Sequence, residues 1–255
     1  MKRYNTPKIS LVGAGPGDLE LITVKGLNAL KSANVILYDA LVNKDLLDYA
    51  PIAKKLFVGK RKGYKAFSQD EINNLLVESA LKYGHAVRLK GGDSFVFGRG
   101  FEEMEFARNA GVETEVIPGI SSSIAVPALA GVSVTHRKVS NSFHVISGTL
   151  ANGELNPEIK HAALGSGTVV VLMGLSKITD ILNVYKKVGK HEVDVAIISN
   201  GSLPNQESIF GKVHSIEARY FSNPIPAPAV IVLGDVVGYA DKQAIRSSAS
   251  LLELA

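Results

Sequence analysis

The chain of 255 residues is 46% hydrophobic and 20% charged, with 24 glycines and 10 prolines. That composition excludes collagen-like, disordered and low-complexity classes and allows one large domain or two smaller ones. It has no cysteine, which excludes disulfides, thiolate metal sites, iron–sulfur clusters and a cysteine nucleophile, and its 28 Lys and Arg against 24 Asp and Glu give a net charge of +4, too mild to predict nucleic-acid binding. The basic start at Lys2-Arg3 is not followed by an apolar run before Asp18 and Glu20. No window approaches the ~20 uncharged apolar residues of a membrane helix, so the expectation is a soluble cytoplasmic protein without a signal peptide, a membrane partner or a nucleic-acid partner.

Taken in order, Lys8–Gly13 reads as a strand, Leu21–Ala33 as a helix, Val35–Tyr38 as a strand ending at Asp39, and Lys55–Val58 as a shorter strand. Ser68-x-x-Glu71 is a capping box opening a helix with Ile72, Leu75, Leu76 and Ala80 as its apolar stripe. Ala86–Lys90 is a strand running into Gly91-Gly92-Asp93, followed by a helix at Arg99–Ala110, a strand at Glu113–Ile117 and a helix at Ser121–Ala130. Strands alternating with helices imply crossover units and a mainly parallel sheet, whose ligands lie at the strand C-termini.

The second half differs. Phe143–Ser147, Thr168–Met173, Val195–Ser199, Glu207–Val213 and Val230–Leu233 are strand candidates, with a helix at Ser176–Val188 and a non-helical proline run at Asn223–Pro228. Gly131–Asn141 reads as a connection between domains. The reading is two α/β domains, 1–134 and 135–242, with a tail at 243–255.

Gly13-Ala-Gly15-Pro16-Gly17-Asp18 follows the first strand, where small residues let backbone amides approach a ligand. The dinucleotide fingerprint needs glycine where Asp18 stands, and a plain tight turn explains the segment equally well. Asp39 fits a ribose-binding acid, a helix-initiating residue or a catalytic base, and position alone does not choose. The cluster Lys60-Arg61-Lys62 with Lys65 reads first as a solvated face. With Arg99 and His136-Arg137-Lys138, it places positive charge near strand ends, which suits a polyanionic substrate. Gly91–Gly100 (GGDSFVFGRG) combines four glycines, an acid and an arginine after a strand and reads as a ligand-binding loop. Walker A, zincin, histidine-cluster metal and nucleophile-elbow patterns do not occur.

In chain order, GAGPGD, VILYDALV, VGKR, LKGGDSFVFGRG, VIPGISS, VSVTHR, VLMGL, Asn200-Gly201 and PAVIVLGDVV resemble the uroporphyrinogen-III C-methyltransferases of the tetrapyrrole methylase superfamily, from about Ile9 to Tyr239. The resemblance implies two α/β domains with S-adenosylmethionine in the cleft between them, usually in a homodimer, and no metal. It implies methylation of uroporphyrinogen III at carbons 2 and 7, giving precorrin-2 by way of precorrin-1 and leaving S-adenosylhomocysteine. That product feeds sirohaem, cobalamin or haem d1 synthesis. The chain looks like the stand-alone form, without the dehydrogenase–chelatase module fused in some relatives.

Carried over by motif, Pro16, Gly91, Gly92, Asp93, Val96, Ser121, Ser122, Met173 and Gly201, with Ala229 added, would line the cofactor pocket. Asp39 would accept a proton and Lys60 donate one, while Arg99 and Glu102 would serve substrate binding or catalysis. Lys60, Arg61, Lys62, Arg99, Arg137 and Lys138 could receive the eight carboxylates of the substrate. The chain departs from the pattern at Ser94 (mostly Pro in relatives), Phe101 (usually Gly), Tyr64-Lys65 and Thr149. The rival readings are another methylase of the superfamily, acting on a corrinoid or on ribosomal RNA, and a nicotinamide-dependent oxidoreductase. The RNA version predicts a broad basic or aromatic surface, against an aromatic content of 7% without tryptophan. The oxidoreductase predicts a dinucleotide loop that Asp18 contradicts.

Overall fold

A computed structural model describes residues 6–59 and 67–240. The chain divides into two compact units, Met1–Ser121 and Ser122–Ala255. The division falls ahead of the helix at Ser122–Leu129, whereas the sequence reading set the domain limit at 134. That helix packs on strands of the second unit through Val126, and Ala130 just past its end joins the same cluster.

The first unit is a five-stranded, wholly parallel sheet: β1 (Lys8–Gly13), β2 (Val35–Tyr38), β3 (Lys54–Phe57), β4 (His85–Lys90) and β5 (Glu113–Ile117), in the order β3-β2-β4-β1-β5. The parallel strands are apolar on both faces because helices cover both. Ile9, Leu11, Val35, Leu37 and Ala86 face α2 (Gln69–Tyr83) and α3 (Gly100–Asn109). Val12, Ile36, Val87 and Leu89 face α1 (Val24–Ser32) and a 3-10 segment at Lys44–Tyr49. Along β4 this alternation puts Arg88 and Lys90 on the α2–α3 face, both buried.

Local chemistry sets the helix starts. Ser68 and Glu71 form the expected capping box on α2, which ends where Gly84 takes a φ of 97°. The helix expected from Leu21 instead begins at Val24, because Thr23 accepts the Gly26 amide as its cap, and a separate 3-10 turn at Leu19–Leu21 is capped by Asp18.

The second unit is a mixed sheet: β6 (Phe143–Ser147), β7 (Thr168–Leu172), β8 (Asp194–Ser199), β9 (Glu207–Lys212) and β10 (Ala229–Leu233), ordered β6-β7-β10-β8-β9. Only β6 and β7 run parallel; β10 lies antiparallel between β7 and β8, and β9 antiparallel to β8. One face packs against α5 (Glu158–Leu164), α6 (Ile178–Lys187) and α7 (Ile216–Ser222), and the other against α4 (Ser122–Leu129) and the segment around Val236 and Val237. Helices α5 and α7, seven residues each, were not expected from the sequence. Among the described residues no helix is long and apolar enough to cross a membrane.

Candidate active site

Parallel pairing in the first sheet brings the C-terminal ends of its strands to one edge, where three glycine turns meet. Gly15 and Gly92 exchange backbone hydrogen bonds of 3.1 and 2.7 Å, and Ala14 donates to the Lys90 carbonyl at 2.7 Å. A methyl group on Gly13 would sit 2.5 Å from the Gly119 nitrogen and 2.7 Å from the Gly92 oxygen, so these backbones touch only because the residues are glycine. Pro16 is half-buried between Gly15 and Gly17, at φ values of 78° and 147°. The Gly17 carbonyl accepts from Asn43 at 2.9 Å, which ties this turn to the loop after β2.

Asp93 braces the turns internally. Its Oδ2 accepts the Gly119 amide at 3.0 Å and its Oδ1 the Phe95 amide at 2.8 Å. Gly91, Gly92 and Val96 belong to the same segment: a Cβ on Gly91 would meet Leu41 at 3.2 Å, and the Val96 amide donates to the Asp93 carbonyl at 3.3 Å. Farther along, the Ser94 carbonyl receives the Gly100 amide at 2.9 Å. Cβ atoms on Gly98 or Gly100 would each come within 2.6 Å of that oxygen. Ser94 is buried with its hydroxyl lacking a hydrogen-bond partner.

Asp39, one residue beyond β2, is 28% exposed and lies against β4. Its Oδ1 accepts from Arg88 Nη2 at 2.7 Å, and its Oδ2 stands 3.8 Å from Lys90 Nζ. Burial, followed by the neighbouring Arg88 charge, holds the Lys90 ammonium below its ordinary value, against the pull of Glu103 and Asp39. Arg88, Lys90 and Glu103 are the charged residues that sequence reasoning missed. The signal available was the presence of two cations, Arg88 and Lys90, two residues apart in a strand otherwise built to be buried.

Arg99 opens α3 with a left-handed φ of 58° and grips Glu102 with two contacts, 3.0 and 2.6 Å. The pair is about half exposed. Hydrogen bonding to Arg99 holds the Glu102 carboxyl below its usual range and raises the guanidinium in turn. Phe101 is exposed and packs edge-on against Phe95 at 6.4 Å between ring centres.

In the second unit, antiparallel β10 sets its first residue beside the last residues of β7 and β8. Met173, Gly201 and Ala229 therefore share one sheet edge. Met173 is exposed with φ at 55°, and Asn200 and Ser202 flank Gly201 at 48° and 71°. A side chain on Gly201 would collide with Val126 at 2.5 Å. Thr149 donates to the Met173 carbonyl at 3.5 Å. Ser121 closes the first unit and Ser122 begins α4 in the second. Lys60, Arg61, Lys62 and Tyr64-Lys65 lie outside the described residues, as does the tail 243–255. Arg137 and Lys138 are exposed in the connection before β6. Among the described residues no group of three or more His, Asp or Glu could hold a metal ion.

Strained backbone residues at strand ends, glycine turns closed on one another and a carboxylate set against a buried cationic pair make the strand-end loops of this α/β protein its candidate ligand site. A family model for tetrapyrrole (corrin/porphyrin) methylases matches residues 8–217, and the chain belongs to that family. A uroporphyrinogen-III C-methyltransferase of Methanocaldococcus jannaschii is 46% identical over 241 residues, 93% of this chain and all of that one. Its counterpart in Synechocystis is 43% identical over 91% of this chain and 90% of its own. Among solved structures, uroporphyrin-III C-methyltransferase from Thermus thermophilus complexed with S-adenosylhomocysteine superposes with a TM-score of 0.79 at 36% identity, covering 91% of this chain and 99% of that one.

Proposed function

We propose that the chain transfers methyl groups from S-adenosylmethionine to carbons 2 and 7 of uroporphyrinogen III, forming precorrin-2 by way of precorrin-1 and leaving S-adenosylhomocysteine. The observation that carries this is the end-to-end likeness to uroporphyrinogen-III C-methyltransferases. The methylase motifs lie within that likeness and fall on the strand-end turns of the fold. Precorrin-2 supplies sirohaem, cobalamin or haem d1 synthesis, and siroheme synthases match this chain over about half of their own length.

The cofactor residues proposed are Pro16, Gly91, Gly92, Asp93, Val96, Ser121, Ser122, Met173, Gly201 and Ala229. Closely packed glycine backbones and left-handed residues at strand ends suit them for donating amides and carbonyls to an adenosyl group without intervening side chains. S-adenosylmethionine, when bound, supplies an electrophilic sulfonium methyl. A pyrrole carbon of the electron-rich substrate forms the new carbon–carbon bond, and the methylated macrocycle then loses a proton. Asp39 is the acceptor proposed for that proton, being a partly open carboxylate oriented by Arg88. Lys60 is the proposed donor. Arg99 and Glu102 orient substrate, with Arg137 and Lys138 receiving its carboxylates.

A homodimer, supported by the family resemblance, and a cytoplasmic location complete the reading. Purified protein incubated anaerobically with uroporphyrinogen III and S-adenosylmethionine should yield a doubly methylated product, heavier by two CH2 units because each methyl gained is matched by a proton lost. A mass spectrum without any methyl gain overturns the proposal.

A further inference from the structure

Behind Asp39 lies a cluster of charges of which the step above uses only the Arg88 contact. Arg88, Lys90 and Glu103 have side-chain exposures of 2%, 7% and 0%, against 28% for Asp39. Besides its bond to Asp39, Arg88 donates through Nε to Glu103 Oε1 at 3.2 Å, and through Nη1 to the carbonyls of Leu37 and Leu89 at 3.4 Å each. Lys90 Nζ and Gln69 Nε2 reach the same Glu103 oxygen at 2.9 and 3.1 Å. Glu103 Oε2 is buried without a hydrogen-bond partner.

Two cations and two carboxylates leave the group formally neutral, but neutrality does not explain its presence. An apolar set of similar volume is often as stable as a buried ion cluster, or more so. The cluster is also lopsided. Three members are sealed in the interior, and only Asp39 reaches the strand-end edge.

We infer that Arg88 and Glu103 are positioning residues for Asp39. Arg88 holds Oδ1, leaving Oδ2 to take the substrate proton, while Glu103 fixes Arg88 and Lys90 in place and offsets their charge. The inference rests on the proposed role of Asp39 as proton acceptor. On this arrangement Arg88 fixes the direction of the Asp39 carboxylate, and Glu103 supplies the counter-charge that keeps Arg88 and Lys90 in place behind it. The charged groups against Asp39 from the described elements are Arg88 and Lys90 on β4, with Glu103 on α3 bound to both of them. Lys90 also bears on Glu102, and Asp70 on α2 bears on Arg99.

The decisive reading is the acid limb of the kcat–pH profile in the full chain, with S-adenosylhomocysteine affinity measured beside it. Removing the cation in Arg88→Gln should raise the midpoint of that limb, and removing the anion in Glu103→Gln should lower it. A merely structural role does not produce shifts of opposite sign. If Asp39→Asn abolishes turnover while both variants keep the wild-type limb, the inference falls and the role of Asp39 stands. If Asp39→Asn turns over normally, that role falls instead. Should either charge-removing variant lose S-adenosylhomocysteine binding, the charge-retaining Arg88→Lys and Glu103→Asp carry the test. Both should lose ~tenfold or more in kcat with cofactor affinity kept, and a kcat within twofold of wild type overturns the inference.

Discussion

Asp93 and Gly119, 26 residues apart, are joined by a hydrogen bond of 3.0 Å from the Gly119 amide to Asp93 Oδ2, while Oδ1 is occupied by the amide of Phe95. The acid of the GGD turn thus holds two loops in register from inside the first unit. Its proposed part in cofactor binding is exerted through the backbone it positions.

Asp93→Asn tests that division of labour. An amide group offers one acceptor oxygen where the carboxylate offers two, so one backbone amide loses its partner at a cost of about 1–3 kcal/mol. The melting temperature should fall by roughly 2–4 °C per kcal/mol, and S-adenosylhomocysteine affinity should fall with it, as calorimetry would record. Lost affinity at an unchanged melting temperature would instead mean that the carboxylate contacts the ligand itself.

Gly13→Ala should be damaging for a steric reason. Its methyl would press on the backbone of Gly119 at 2.5 Å and of Gly92 at 2.7 Å, and neither can swing aside as a side chain would. Overpacking of this kind costs about 1–3 kcal/mol. Gly165→Ala is the control, since Gly165 has a φ of −77° and the nearest atom to its added methyl would be 3.5 Å away. Thermal unfolding should separate the two variants, with Gly165→Ala near wild type.

Arg99→Lys keeps the charge but loses the two-pronged grip on Glu102. An exposed pair of this kind contributes little to folding, about 0–1 kcal/mol, so the melting temperature should stay near that of wild type. If Arg99 orients substrate, KM for uroporphyrinogen III should rise about tenfold, equivalent to ~1.4 kcal/mol of binding. An unchanged KM would remove Arg99 from the substrate site.

His85 gives the fold a pH dependence. Burial holds its imidazole below the ordinary value of 6.5. Nε2 lies 2.9 Å from the Ser10 hydroxyl and Nδ1 3.2 Å from the Ser32 carbonyl, an arrangement met by a neutral ring donating from Nδ1 and accepting at Nε2. The unfolded chain therefore takes up a proton before the folded one does. Stability should be full above pH ~6.5, begin to fall as pH drops through that value, and level off below the folded pKa. Melting temperatures from pH 7.5 to 5, compared with His85→Gln, should show a flatter curve for the variant over that window.

Much of this protein was legible locally. Strands β1, β2, β5 and β6 have the limits expected from their apolar runs, and Ser68 and Glu71 cap α2 as their spacing required. Each of these features is decided by residues within a turn or a strand of one another, where periodicity and capping act. The glycine-rich turn after β4 stood out for a similar reason, since four glycines in ten residues are hard to explain without close backbone approach. Helices α5 and α7 did not stand out, because seven residues span barely two turns of apolar spacing.

What only the tertiary structure decided is which distant residues meet. Arg88 and Asp39 are 49 positions apart and touch because β2 lies beside β4 in register, Leu37 opposite Arg88. Glu103 completes the group because α3 returns over the same face. Gly13, Gly92 and Gly119 close on one another through the strand order, and Met173, Gly201 and Ala229 share an edge because β10 runs antiparallel between β7 and β8. The sequence by itself determined the elements and the residue types at their ends. Sheet order determined which charges are buried together, because desolvation and pairing depend on distance in space and not on separation along the chain.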